Sequence, residues 1–282
     1  MRKIMSDDIK LMYANARKAF ATVEYWPQDR VDEMVAAVGW EWQKEHNAAH
    51  LARIAIDESG IGVYEDKAAK IRNKTRGTMR DLIGAKTCGL VSEEPAKGLK
   101  TFAKPMGVIA NVVPCTNPES TVCCLGLNIL KTRNAMIATP HPRTQGSTFE
   151  TVEIGRKALK KIGAPEDLLQ CIRQTSREKT RELMASCDFA VATGGAALVR
   201  VVYEAGKPCH TVGAGNVISI VDASAEPQTT AAKIIKSKTA NNAASCSSEN
   251  AVAIEAAIYD EMLGQLQAQG GYLCDEDERE RL

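Results

Sequence analysis

From Leu99 onward, short apolar runs alternate with longer amphipathic stretches, and this alternation restricts the possible folds more than any other feature of the chain. The apolar runs are Met106–Val113, Ala135–Thr139, Leu168–Ile172, Phe189–Thr193 and Cys209–Val212. Helical stretches are predicted between them at 118–132, 144–163, 176–186 and 196–206. Strand and helix in strict turn predict an α/β fold, a doubly wound parallel sheet with helices on both faces. Sheets of this kind bind ligands in the crevice beyond the carboxyl ends of their strands, so the chemistry should lie just after each run.

The flanks read differently. Ser6 can cap a first helix in which Ile9, Tyr13, Ala16, Phe20 and Val23 repeat at helical spacing. Pro27 opens a second helix expected to run past His50 and end near Gly60. Trp26, Trp40 and Trp42 are read as packing residues. Beyond Gly213 the pattern predicts a strand at Val217–Val221, a helix at 227–240, a strand at 250–254 and a helix from Ala256 to Gln269. The closing DEDERERL reads as a solvated tail without a motif. A third region therefore begins near Gly213.

Composition excludes several classes. With 36 Lys and Arg against 35 Asp and Glu, no strong positive field favours nucleic acid. The nine cysteines are odd in number and irregularly spaced, which argues for reduced thiols in a cytoplasm rather than a disulfide framework. The four histidines do not pair with cysteines at finger spacing, so no structural metal is expected. The charged N-terminal stretch does not read as a signal peptide, and no apolar run is long enough to span a membrane.

Four segments carry candidate chemistry. In Val113-Pro114-Cys115-Thr116-Asn117-Pro118, two prolines pin a loop at a strand's end. Thr116 and Asn117 there can donate to an oxyanion, or can simply cap the helix that Pro118 opens. In Thr139-Pro140-His141-Pro142-Arg143, a rigid turn carries a histidine and an arginine that could meet a phosphate or ribose. Thr193-Gly194-Gly195 leads a strand into a helix N-terminus, a setting that suits a pyrophosphate but also serves as an ordinary tight turn. Cys246 lies in Asn241-Asn242-Ala243-Ala244-Ser245-Cys246-Ser247-Ser248-Glu249-Asn250, where small neighbours leave a thiolate reachable. A buried structural cysteine is the alternative at that position.

Taken in order, these segments resemble the aldehyde dehydrogenase superfamily, and its CoA-acylating branch in particular. The matching text is AKTCGLVSEEPAKGLKTFAKPMGVIANVVPCTNPEST, LKTRNAMIATPHPR, VATGGAALVRVVYEAGKP, TVGAGN and SKTANNAASCSSEN. The resemblance implies that Cys246 attacks an aldehyde carbon, with the oxyanion held by the Cys246 N–H and by Asn117 or Thr116. Both side chains stay open as donor, because hydrolytic relatives place their loop asparagine where Thr116 stands. Hydride would pass to NAD or NADP, and CoA would take the acyl group from the sulfur. Pro114, Thr139, His141, Arg143, Thr193, Gly194 and Gly195 would line the dinucleotide site. Hydrolytic members carry a water-activating Glu in a Glu-Leu-Gly-Gly-Lys stretch. Here Val212 takes that place and cannot act as a base. The AASCSSEN stretch and the GGYLCDEDERERL ending are most similar to acylating sulfoacetaldehyde dehydrogenases.

The resemblance also implies a dimerising arm at 88–104, a nucleotide-binding domain over 1–212 and the beginning of a catalytic domain over 213–282. Family chains continue well past the 36 residues that follow Cys246, so a truncated, weakly active or inactive chain is expected, homo-oligomeric only in full-length form. The alternative is a non-catalytic nucleotide-binding or assembly fragment of the same fold.

Overall fold

The computed structural model describes residues 6–282. The first five residues, which begin the stretch read as lacking a signal peptide, lie outside the described residues. The chain forms two compact units, Met1–Gly213 and Ala214–Leu282.

The first unit opens with helices α1 (Asp7–Val23), α2 (Gln28–Gln43), α3 (Glu45–Ser59) and α4 (Tyr64–Leu82). Ser6 occupies the N-cap position of α1, yet its side chain makes no cap bond. Its hydroxyl donates instead to Glu182 at 2.7 Å. The helix expected to run unbroken from Pro27 to Gly60 is two helices, with Lys44 at ψ 137° between them. No glycine or proline marks that break. Asn47 Nδ2 donates to the Glu41 carbonyl at 2.8 Å, so a side chain takes over an acceptor that continued helix would have used.

After α4 comes an antiparallel hairpin, β1 (Gly89–Glu94) and β2 (Leu99–Ala103). The central sheet then follows: β3 (Val108–Val112), β4 (Ala135–Thr139), β5 (Leu169–Cys171), β6 (Phe189–Thr193) and β7 (Cys209–Val212). Its order is β5-β4-β3-β6-β7, and every pairing is parallel. The connecting helices are α5 (Pro118–Lys131), α6 (Gln145–Lys161), α7 (Arg177–Ser186) and α8 (Ala196–Glu204). The chain winds outward from β3 to β5, then returns to the other side of β3 with β6. Right-handed crossovers in opposite directions put α5 and α6 on one face and α7 and α8 on the other. The topological switch point is therefore between β3 and β6.

Trp42 anchors α2 over α5 and α6. Its ring is fully buried, and its Nε1 donates to the Thr151 carbonyl at 2.8 Å. It fits because both facing helices offer glycine. A Cβ on Gly126 or on Gly155 would stand 2.8 Å from a ring carbon. The packing reading holds for Trp42 and for the partly buried Trp26, but Trp40 is 58% exposed.

The second unit is smaller. Strands β8 (Val217–Val221) and β9 (Glu249–Ile254) pair in parallel, joined by α9 (Pro227–Thr239). Helix α10 (Tyr259–Ala268) packs with α9 over a core of Val221, Ala231, Ile234 and Met262. The final stretch is not a motif-free tail. Glu276–Arg281 forms a short helix, α11, in which Asp275 and Glu278 make a reciprocal capping box.

Candidate active site

Within the first unit, three of the four segments share one edge of the sheet. Register places Val112 level with Thr139 of β4 and with Ala192 of β6. The loops that follow β3, β4 and β6 therefore leave the sheet side by side. Pro114, Thr116, Asn117, His141, Thr193, Gly194 and Gly195 all lie on these loops or at their strand ends.

The loop after β3 is held from below by α4. Lys67 Nζ donates to the Thr116 carbonyl at 3.0 Å and sits 3.6 Å from Glu119 Oε1. One turn along the helix, Lys70 Nζ donates to Asn117 Oδ1 at 2.7 Å. Asn117 Nδ2 in turn donates to Thr116 Oγ1 at 3.3 Å. Asn117 stands at the N-cap position of α5, but its side chain makes no cap bond there. The capping alternative is thus not how this carboxamide is used. Glu119 is wholly enclosed, and burial pushes its carboxyl above the ordinary range, against the pull of Lys67.

The loop after β4 divides into inner and outer residues. Thr139 is buried, and its hydroxyl is within hydrogen-bond distance of Thr175 at 3.1 Å and Thr180 at 2.9 Å. That hydroxyl is occupied within the protein. The Arg143 N–H donates to His141 Nδ1 at 3.2 Å, and the Arg143 guanidinium donates to the Ser59 carbonyl at the end of α3. Partial burial, with the Arg143 charge adding to it, lowers the His141 pKa. Glu58 of α3 caps the next helix, accepting from Gly146 N at 2.6 Å and Ser147 N at 2.9 Å.

The turn after β6 is tied down by one bond, from Gly194 N to the Val212 carbonyl at 3.0 Å. Gly195 then stands at the N-cap position of α8, and a Cβ built there would meet no atom within 4 Å. Gly195, Ala196 and Ala197 are exposed, so the first turn of α8 opens outward.

In the second unit, Cys246 lies in a turn between α9 and β9. Asn241, Asn242 and Ala243 hold φ of 53°, 52° and 56°, a left-handed stretch that ends three residues before the thiol. Asparagine tolerates that conformation, whereas Ala243 does so at about 1–2 kcal/mol. Ser248 N closes the turn on the Ser245 carbonyl at 3.0 Å. All nine cysteines are free, and Cys246 is more open to solvent than the other eight, which are buried or half-buried. Burial pushes the thiols of Cys123, Cys124, Cys171 and Cys187 upward and leaves them poor nucleophiles.

Comparison with known proteins places this arrangement. Residues 1–273 match the model of the aldehyde dehydrogenase family. The chain belongs to the aldehyde dehydrogenase family. An acylating sulfoacetaldehyde dehydrogenase of Bilophila wadsworthia is 40% identical over 280 residues, covering 99% of this chain and 60% of that protein. A crystal structure of an acetylating aldehyde dehydrogenase from Geobacillus thermoglucosidasius superposes with a TM-score of 0.92 at 32% identity, over 97% of this chain and 61% of that one. A propionaldehyde dehydrogenase of Rhodopseudomonas palustris, solved with CoA bound and a cysteine acylated, gives a TM-score of 0.84 at 26% identity, over 97% of this chain and 62% of that one. The chain thus spans about 60% of the length of these members of the acylating branch.

Sequence reasoning passed over Lys67, Lys70, Glu119 and Glu58. All lie on helices, where charged residues ordinarily read as a solvated face. Only the Thr-Asn-Pro-Glu order around Glu119 offered a local hint, since a glutamate in a first turn suits the helix dipole.

Proposed function

We propose that this chain carries the nucleophile and the dinucleotide-binding half of an enzyme that oxidises a short aldehyde to its acyl-CoA. The observation that carries the reading is the near-complete alignment with an acylating sulfoacetaldehyde dehydrogenase, 99% of this chain at 40% identity. The same match makes sulfoacetaldehyde the favoured substrate, with acetaldehyde as the competitor to beat.

Cys246 forms a carbon–sulfur bond to the aldehyde carbon, and the carbonyl electrons move onto oxygen. The Cys246 N–H donates to that oxyanion. The open first turn of α8, with room where Gly195 lacks a Cβ, fits the pyrophosphate of a dinucleotide. NAD or NADP, when bound, supplies the acceptor for the hydride that leaves the substrate carbon. What remains is a thioester on Cys246. The CoA thiolate then attacks its carbonyl carbon, and Cys246 departs as the thiolate. Val212, exposed at the end of β7, stands where hydrolytic relatives keep a glutamate and offers no base for water.

We also infer a role in assembly for the hairpin β1–β2. Leu90, Leu99 and Phe102 on it are 42%, 54% and 57% exposed, which suits an arm that pairs with another subunit.

The reverse half-reaction tests the function without a hydride donor. The 282-residue chain is incubated with acetyl-CoA and digested for mass spectrometry. An acyl group is expected on Cys246 and absent from the Cys246→Ser variant. Acylation elsewhere, or none, would leave the non-catalytic nucleotide-binding fragment as the better reading. NAD(P)H formation from sulfoacetaldehyde against acetaldehyde, with each dinucleotide, then settles substrate and cofactor.

A further inference from the structure

We propose that Glu58 of α3 sets the choice of dinucleotide: its carboxylate accepts from the 2′-hydroxyl of the adenosine ribose and repels a 2′-phosphate, so that NAD is taken in preference to NADP. The inference rests on the reading of the first unit as the dinucleotide-binding half, and it uses residues of that unit alone.

A parallel sheet that binds a dinucleotide at its switch point holds the pyrophosphate against a helix N-terminus. It reads the ribose 2′ position at the end of a neighbouring strand, with a carboxylate for NAD or an arginine for NADP. Here the open first turn of α8, after β6, fits the pyrophosphate. Strand β4 lies on the other side of β3, and its register brings its end to the same edge of the sheet. The loop that follows it, Pro140–Gln145, contains no acidic residue. The acid comes from another helix. Glu58 reaches across from α3 and accepts from Gly146 N at 2.6 Å and Ser147 N at 2.9 Å, at the start of α6. Gly146 permits that approach, since a Cβ there would stand 2.6 Å from Oε1.

A phosphate at a strand's end is ordinarily met by a cation or by the free N–H groups of the next helix. At α6, two of those N–H groups are taken by Glu58. The cation of the loop, Arg143, turns its guanidinium to the Ser59 carbonyl and is held against the helix that carries Glu58. A dianion arriving here meets a carboxylate. A hydroxyl fares differently. Each Glu58 oxygen is engaged by one of these N–H groups and keeps a second lone pair, and the residue is exposed. A 2′-hydroxyl can therefore donate to it. The start of α6 is closed to phosphate while the start of α8 is open, so the two helices are set for different parts of one ligand.

The test uses ADP-ribose and its 2′-phosphorylated form, which carry the adenosine halves of NAD and NADP and need nothing from the second unit. Both are titrated calorimetrically into the 282-residue chain and its Glu58→Gln variant. Wild type should bind ADP-ribose about ten-fold more tightly, the order of the Coulomb repulsion between a carboxylate and a phosphate dianion close together in water. Glutamine keeps an oxygen to accept at α6 and removes the charge. Glu58→Gln should weaken ADP-ribose and tighten the 2′-phosphate, so that the preference disappears. A merely structural role would weaken both ligands together and leave their ratio alone. Equal binding of the two ligands by wild type, tighter binding of the 2′-phosphate, or a ratio unchanged in Glu58→Gln would overturn the proposal. If ADP-ribose binds without discrimination, the dinucleotide reading stands and the role of Glu58 alone falls. If wild type binds neither ligand, the dinucleotide reading fails and takes the proposal with it.

Discussion

Lys67 and Glu119 face each other 3.6 Å apart, Nζ to Oε1, with both side chains wholly buried beneath the loop that carries Thr116 and Asn117. Lys67 is also bonded to the Thr116 carbonyl, whereas neither carboxylate oxygen of Glu119 has a hydrogen-bond partner. Removing one partner leaves the other buried and uncompensated. Lys67→Met should therefore destabilise the protein by roughly 3–5 kcal/mol. The double replacement Lys67→Met with Glu119→Leu should recover much of that loss, because it leaves no charge behind. Urea unfolding of the two variants and wild type measures both. A double variant no more stable than the single would show that the lysine acts through packing rather than charge.

The same carboxyl sets a pH dependence. Burial raises the Glu119 pKa above its ordinary value of 4.5. The folded protein then keeps a proton that the unfolded chain has released. Its contribution to stability is whole below the ordinary value and declines as pH rises through the folded one. Glu119→Gln cannot titrate, so its urea midpoint should gain on that of wild type as pH rises from about 4.5 to 8. A gap that stays constant, or narrows with pH, would contradict the raised pKa.

These two lysines also show where the sequence stops speaking. The strands were legible because each is an apolar run closed by polar or glycine residues: Ala135–Thr139, Phe189–Thr193 and Cys209–Val212 fall on β4, β6 and β7 residue for residue. The three loops after β3, β4 and β6 were legible for the same reason, since their proline and glycine punctuation is local. The brace beneath them was not. Lys67 and Lys70 reach loop atoms 49 and 47 residues away, and no local pattern distinguishes them from the other basic residues of α4. The break at Lys44 was hidden likewise, because a side chain rather than a glycine or proline ends α2. The capping box of α11 was readable as Asp275-Glu276-Asp277-Glu278, but a run of charges masked it.

Two helical glycines should respond in opposite ways to alanine. Gly77 lies within α4 with nothing within 4 Å of a Cβ, so Gly77→Ala should stabilise by about 0.5–1 kcal/mol through reduced backbone entropy. Gly155 lies in α6, where a Cβ would come 2.7 Å from Leu169 and 2.8 Å from the Trp42 ring. Overpacking there costs about 1–3 kcal/mol, which outweighs the gain in propensity. Gly155→Ala should therefore lower the melting temperature while Gly77→Ala raises it. Shifts of the same sign would mean that Trp42 has more room than this packing allows.

Exposure of Cys246 predicts an order of thiol modification. Its turn is open, whereas Cys123, Cys171 and Cys187 are buried. Burial also pushes those three thiols upward, so their thiolate fraction at neutral pH is small as well as inaccessible. Under limiting iodoacetamide, Cys246 should carry the first adduct, and the buried three should react only after denaturation. Cys246→Ser should lose the fast phase and keep the slow ones. Peptide mapping at successive times gives the order directly. A first adduct on Cys88, Cys115, Cys124, Cys209 or Cys274, all of intermediate exposure, would mean that access at Cys246 is narrower than its turn suggests. It would also weaken Cys246 as the group that meets the aldehyde, since a thiol shielded from a small alkylating agent would be shielded from a small carbonyl compound too.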